Sequence, residues 1–457
     1  MAPDSSMRAR LFTRVMCSDG RGIRLAIDLP RASRLSADES YFHTKAGSMF
    51  RKSQTAAIRL IVIMAVLFML GLGAWAQTAT ILYSFTGGKD GANPKSQLVL
   101  DKAGNLYGTT TAGGATGQGE VFELTPSLRG GWQIEILYSF QGSADGSLPA
   151  AGVIFDKQGN LYGTLYNGCA FGHGGVFELS PAGGGVWTKK LLYSFTGGND
   201  GGQPVGSLIF DKAGNLYGTT PLDGADGQGV VYQLSPNSDG TWTETVLHAF
   251  VALTTTDGQG PAGALALDSA GNLYGVTVQG GAANMGTVFE VSPASGGGWT
   301  ETLLYSFLGG NDGSGPATSN VLVNPTGTAL FGTTTTGGTA NEGTVFEMKK
   351  AANGWKEKVL YAFPGGANGG NPYAGVIRDS KGNLYGTTAS GVFGAGGVVF
   401  ELAPATGGKW TETVLYTVDG AGNGSYAGLV FDKAGNLYGT TEFGGPSLAG
   451  DIFQVTP

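Results

Sequence analysis

From residue 79 onward, short apolar runs alternate with tight, glycine-rich polar stretches, and the alternation itself repeats. Four kinds of run follow one another in fixed order. The first closes on Asp or Asn: QLVLD, GVIFD, SLIFD, ALALD, NVLVN, GVIRD and GLVFD. The second has the form NLYGTT, with its aromatic at Tyr107, Tyr162, Tyr217, Tyr274, Phe331, Tyr385 and Tyr438. The third has the form VFEL, centred on Phe122, Phe177, Tyr232, Phe289, Phe346, Phe400 and Phe453. The fourth starts at Trp132, Trp187, Trp242, Trp299, Trp355 or Trp410 and reaches the Tyr or His of an LYSF-like end six residues later. Runs of about four to eight residues, rich in β-branched and aromatic side chains and bounded by Gly, Pro, Asn or Asp, predict strands.

The whole unit recurs seven times at a period of about 55 residues, within the range of propeller blades. Four strands per repeat in one unbroken array predict an all-β fold, a seven-bladed β-propeller of four-stranded blades. The strands are lettered A to D in chain order, with A innermost. The stretch DKAGNLYGTT, found at Asp101, Asp211 and Asp432, is then the A–B hairpin. Its Asp bonds the backbone of its own turn and its Gly takes the positive-φ place. The following LYG is expected to set an aromatic between blades and a glycine where neighbouring backbone passes close. Such literal repetition speaks for architecture before chemistry. The last repeat stops at a third strand, DIFQVTP, while ATILYSF at residues 79–85 is a fourth strand without a blade. Pairing the N-terminal strand with the last blade closes the ring and removes an exposed edge.

Composition agrees with short strands and tight turns: 82 glycines, 10% aromatic and only 13% charged residues in a 457-residue chain. Charge is divided unevenly. Residues 1–76 hold 11 basic and 5 acidic side chains, the remainder 16 and 29. So acidic a domain supplies no basic patch for phosphates, which excludes nucleic acid as the expected partner.

Residues 49–76 read as a signal peptide. Arg51, Lys52 and Arg59 precede an apolar run, Leu60 to Leu70, and Ala74-Trp75-Ala76 fits a cleavage site before Gln77. The run is short for a stable span, so cleavage is expected and the mature chain, 77–457, has no membrane span. Residues 1–48 are Arg-rich and match nothing downstream; translation is expected to start at Met49, which makes them a non-native extension. The domain is therefore expected to be exported, secreted or periplasmic. Only Cys169 survives processing, so no internal disulfide forms.

The ordered pattern LYSF, GG-x-D-G, P, LIFD-x-x-GNLYGTT, GG, VFEL-x-P resembles the tandem GloVer (Gloeo–Verruco) repeat of exported bacterial proteins over residues 79–457. The resemblance implies a propeller and attaches no firm activity to it. Such proteins are called choice-of-anchor proteins because their ends carry different surface-attachment segments. Here nothing follows Pro457, so a tether is not expected. The D-x-x-G-N-L-Y core is similar to two-component-regulator and NHL-type blades in fold only.

Candidate chemistry falls on the face expected to carry the D–A and B–C loops. Asp90, Asp145, Asp200, Asp257 and Asp312, with Asn368 and Asn423, occupy equivalent D–A positions. Their oxygens suit Ca²⁺, the one cofactor considered, or sugar hydroxyls. Asp-Gly and Asn-Gly are also simply good turns, and no loop has EF-hand spacing. A glutamate in nearly every third strand (Glu123, Glu178, Glu290, Glu347, Glu401) reads as a bond across blades, to a GTT threonine, because catalytic carboxylates must differ from each other.

Departures from the repeat are the better sites. YNGCAFGHGG brings Tyr166, Asn167, Cys169 and His173, a Cys–His pair too sparse for a metal centre on its own. Arg378 stands where other blades have Leu, Phe or Val, and is expected to face the channel and hold an anion. His248 replaces the Tyr of LYSF and reads as a packed aromatic substitute. The sum is a monomeric binding module for an extracellular carbohydrate, envelope component or protein. An extracellular carbohydrate-active enzyme and a purely structural envelope protein are the alternatives.

Overall fold

The computed structural model describes residues 78–252, 255–316, 320–391, 396–418 and 424–457. The expected extension (1–48), signal peptide (49–76) and Asn423 lie outside the described residues. Among those described, no helix is long and apolar enough to cross a membrane.

Seven four-stranded antiparallel sheets follow in order along the chain. Blade 1 shows the plan: Val99–Leu100, Leu106–Thr110, Glu120–Pro126 and Trp132–Ser139. Strand A is only two residues long because the Asp that follows turns the chain at once. Asp101 accepts from the backbone of Ala103 (2.8 Å) and Asn105 (2.9 Å) and from the Asn105 side chain (2.9 Å), while Gly104 has φ +92°. The same wrap recurs around Asp156, Asp211, Asp268, Asp379 and Asp432. Strand Thr78–Ser84 lies outermost in the seventh blade, antiparallel to Asp451–Thr456 with Ile81 opposite Phe453. The chain thus closes three strands plus one.

Six of the seven junctions between blades use the same pair of aromatics, whereas between blades 6 and 7 Val418 takes the place of the phenylalanine and Tyr416 meets Phe453 at 5.7 Å. Phe140, at the end of one LYSF-like run, meets Phe177 in the next blade's strand C at 5.2 Å, edge to face. Phe85–Phe122, Phe195–Tyr232 and Phe307–Phe346 repeat the contact within 5.0–5.3 Å. Such pairs add to the area they bury. The LYG tyrosine does lie between blades: Tyr107 packs on Phe155 at 4.9 Å and Tyr162 on Phe210 at 5.1 Å. Its glycine serves another neighbour than expected. A Cβ on Gly108 would sit 2.7 Å from the Phe122 ring and 2.8 Å from Leu98, so the glycine makes room for side chains rather than for backbone.

The polar bonds differ from expectation in the same way. Strand-C glutamates turn to the tyrosine of their own blade, Tyr107 donating to Glu123 at 2.7 Å and Tyr385 to Glu401 at 3.1 Å, except Glu347, whose blade has Phe331 and which pairs with Lys349 at 2.9 Å. It is the GTT threonine that crosses blades, by donating to the backbone just before the next strand A. Thr109 reaches Ala151 O (2.9 Å), Thr219 Gly263 O (3.0 Å), Thr387 Ala427 O (2.8 Å) and Thr440 Ser96 O (3.3 Å), the last across the closure. These ties hold the inner strands around the axis.

Candidate functional site

The residues just before strand A converge on the axis and line a cavity of about 580 Å³. All seven blades contribute, and the B–C loops add Thr111, Tyr166 and Glu442. Close approach of the inner strands depends on small residues: a Cβ on Gly152 would lie 2.4 Å from the carbonyl of Gln97 in the neighbouring blade. Where blades 1 and 5 carry an amide instead, the two side chains span the channel. Asn320 Nδ2 stands 3.5 Å from Gln97 Oε1, Gln97 donates to Leu429 O at 2.7 Å, and Asn320 Oδ1 accepts from Ala264 N at 3.0 Å.

One register position decides the character of the wall. Six residues before the Asp of strand A stand Ala150, Val205 and Ala262 in blades 2 to 4, but Tyr373, Tyr426 and Lys95 in blades 6, 7 and 1. The two tyrosine rings lie 4.9 Å apart, tilted at 54°. Lys95 Nζ is 3.5 Å from Glu442 Oε1, and the backbone of Glu442 is held by Asn93 at 3.2 Å. Burial, then the neighbouring Tyr373 and Glu442, raise the Tyr426 phenol above its ordinary range, so it stays a neutral hydrogen-bond donor. One side of the mouth is therefore apolar and small. The other is aromatic and charged.

Of the residues singled out in the sequence, Tyr166 lines this cavity. Asn167 is engaged through its backbone, accepting from Ser147 N at 3.0 Å. His173 Nδ1 lies 3.0 Å from Asp223 of the next blade. Cys169 is buried in the apolar cluster with Leu165 and Phe177, and burial pushes its thiol up to about 11, so it and His173 serve separate neighbours. Arg378 does not line the cavity. It sits exposed on the A–B side of its strand and stacks on Phe331 of the preceding blade, 5.1 Å from the ring centroid. It replaces the Phe that packs at the same place elsewhere (Phe155 on Tyr107, Phe431 on Tyr385), which accounts for an arginine there without an anion.

The aspartates of the D–A loops do ring one face, but their oxygens are occupied. Asp90 accepts from Tyr83 OH (2.9 Å), from Thr86 N (2.8 Å) and from the Thr86 hydroxyl. Asp200 repeats this with Tyr193 and Thr196. Burial alone would raise these carboxyls, yet the bonds from Thr86 and Thr196 outweigh it and hold both low. Asp145 is paired with Lys189 (2.9 Å), and Asp312 accepts from Tyr305 OH and Leu308 N, both at 2.7 Å. Asn368 bonds Glu412 of the next blade. Asp257 alone of the set has a histidine partner, His248, at 3.3 Å.

Lys95, Tyr373, Tyr426, Glu442, Gln97 and Asn320 were not singled out, although their signal was in the repeat. Aligning PKSQLVLD, PAAGVIFD, PVGSLIFD, PAGALALD, PYAGVIRD and SYAGLVFD shows the variable column directly. What it does not show is that the column faces the axis.

Among solved structures, the chain is similar to a putative 6-phosphogluconolactonase from Bacteroides uniformis (17% identity, TM-score 0.47, covering 72% of this chain and 86% of that one). An ulvan lyase of a polysaccharide lyase family gives 11% identity and a TM-score of 0.46, covering 80% and 93%. Both are too distant to transfer an activity. No curated protein matches. The Gloeobacter/Verrucomicrobia repeat matches three times, over residues 66–197, 128–328 and 267–457. With the repeat running through every blade, the chain belongs to the Gloeobacter/Verrucomicrobia repeat family.

Proposed function

We propose that the protein is an exported binding module whose axial mouth takes the end of an extracellular or cell-envelope carbohydrate. The observation that carries this reading is the one-sided mouth. Tyr373 and Tyr426 offer aromatic faces to the apolar side of a sugar ring, while Lys95, Glu442 and the amides of Gln97 and Asn320 offer hydrogen bonds to its hydroxyls. A concave pocket with a few placed polar groups is how propellers and other rigid folds obtain specificity. Turnover is less well supported. Among the described lining residues Glu442 is the single carboxylate, whereas glycoside hydrolysis ordinarily uses two in different environments.

The experiment is a glycan and cell-wall array probed with residues 77–457, followed by calorimetry on the best hit. Retention without released product, abolished by Tyr426→Ala and by Tyr373→Ala, is expected. Product release, or binding unchanged in both variants, overturns the reading.

A further inference from the structure

At the outer end of the five junctions from blades 1–2 to blades 5–6, three positions meet. They are the Tyr or His of the LYSF-like run, the D–A aspartate or asparagine, and the residue two places after the next blade's tryptophan. The junctions solve the charge problem differently. Lys189 neutralises Asp145 beside Tyr138. Asn368 and Tyr361 both donate to Glu412. At two others, Asp200 faces Glu244 under Tyr193, and Asp312 faces Glu357 under Tyr305, the phenol donating to the aspartate. The remaining acidic junction is unlike all of these, because His248 stands in place of the tyrosine. Its donor is replaced by an imidazole with a lone pair to give.

From this juxtaposition we propose that His248, Asp257 and Glu301 form a site for one divalent transition-metal ion of the Zn²⁺ class. One ligand atom from each lies within 4.8 Å of the other two. Asp257, 7% exposed, is already aimed: Val251 N (2.9 Å) and Gly258 N (2.7 Å) donate to its two oxygens, and His248 Nε2 is 3.3 Å from Oδ1. His248 is held edge-on against Phe250 at 4.6 Å. Glu301 Oε1 is shielded from solvent and has no hydrogen-bond partner, as is true of Oε1 of Glu244, Glu357 and Glu412 at the sister junctions; among these junctions this one alone sets a histidine nitrogen beside the unpaired oxygen. One nitrogen and two carboxylate oxygens suit Zn²⁺ with a fourth position for water, and suit Ca²⁺ poorly, since that ion prefers an all-oxygen shell.

The test uses the full domain stripped with chelator and titrated with ZnCl₂ by calorimetry. One equivalent is expected to bind. His248→Tyr restores the residue of the sister junctions, so the fold is kept while the nitrogen ligand is lost. Glu301→Gln removes a carboxylate without changing shape. Each should weaken binding by about tenfold to hundredfold or more, as loss of ligand-shell groups does elsewhere. His173→Ala should leave it unchanged. No binding heat, wild-type affinity in His248→Tyr, loss confined to His173→Ala, or equal affinity for CaCl₂ would each overturn the proposal.

Discussion

At the junction of blades 1 and 2, Phe140 packs against Phe177 at 5.2 Å, and the junction of blades 5 and 6 repeats this with Phe363 and Phe400 at 5.1 Å. At the mouth, by contrast, the equivalent position holds Ala150 in blade 2 and Tyr426 in blade 7. The two regions belong to the same blades yet obey different constraints. A junction residue must fit both its own blade and the next, and close packing leaves few solutions. A mouth residue touches the cavity, so it can diverge without disturbing the ring. Stability is thus spread over equivalent junctions, and recognition is gathered where equivalence breaks.

Removing the outermost strand of the seventh blade tests the junction side hardest. Deleting residues 78–86 uncovers the edge of Asp451–Thr456 and removes Phe85, fully buried against Phe122. The melting temperature should fall by roughly 10 °C or more, with oligomers appearing in sedimentation. A monomer with unchanged melting would show that closure contributes little.

Phe177→Ala is next, at an expected cost of about 3–5 kcal/mol in denaturant unfolding, because its ring is fully buried between blades. Carbohydrate binding by the folded fraction should be unchanged. Tyr373→Ala at the mouth should behave in the opposite way, costing under about 1 kcal/mol of stability and abolishing ligand binding. If both variants lost binding and stability together, the separation of the two regions would fail.

The smallest effect concerns the acidic junctions. Burial, followed by the charge of Asp200, pushes Glu244 from 4.5 up to about 7, and burial with Asp312 does the same for Glu357. Between those values the folded protein holds protons that the unfolded chain has released. Stability from these groups is therefore present at pH 4.5 and lost as pH rises through 7. Melting should drop by a few degrees from pH 5 to pH 8, and Glu244→Gln should flatten the slope, as scanning calorimetry would show. A slope identical to wild type would place the pH dependence elsewhere.

The fold was legible almost completely, and the reason is the repeat: seven copies of four apolar runs admit one array, and one orphan strand at the start with a three-stranded blade at the end admits one closure. The hairpin role of D-x-x-G-N was equally legible, since a turn is settled by its own residues. Partners separated in sequence were not. The sequence showed a glutamate in strand C and a threonine in strand B, but only the packed blades turned Glu123 to Tyr107 and sent Thr109 to Ala151. Arg378 was visible as an exception, yet its place over Phe331 depends on which end of a two-residue strand faces the neighbour. Local pattern determined the strands, turns and blade count because those depend on residues within a few positions of each other. The mouth that unites Lys95 with Tyr373 and Tyr426, and the junction that unites His248 with Glu301, were decided by closing the ring, which alone brings distant blades to one axis and adjacent blades edge to edge.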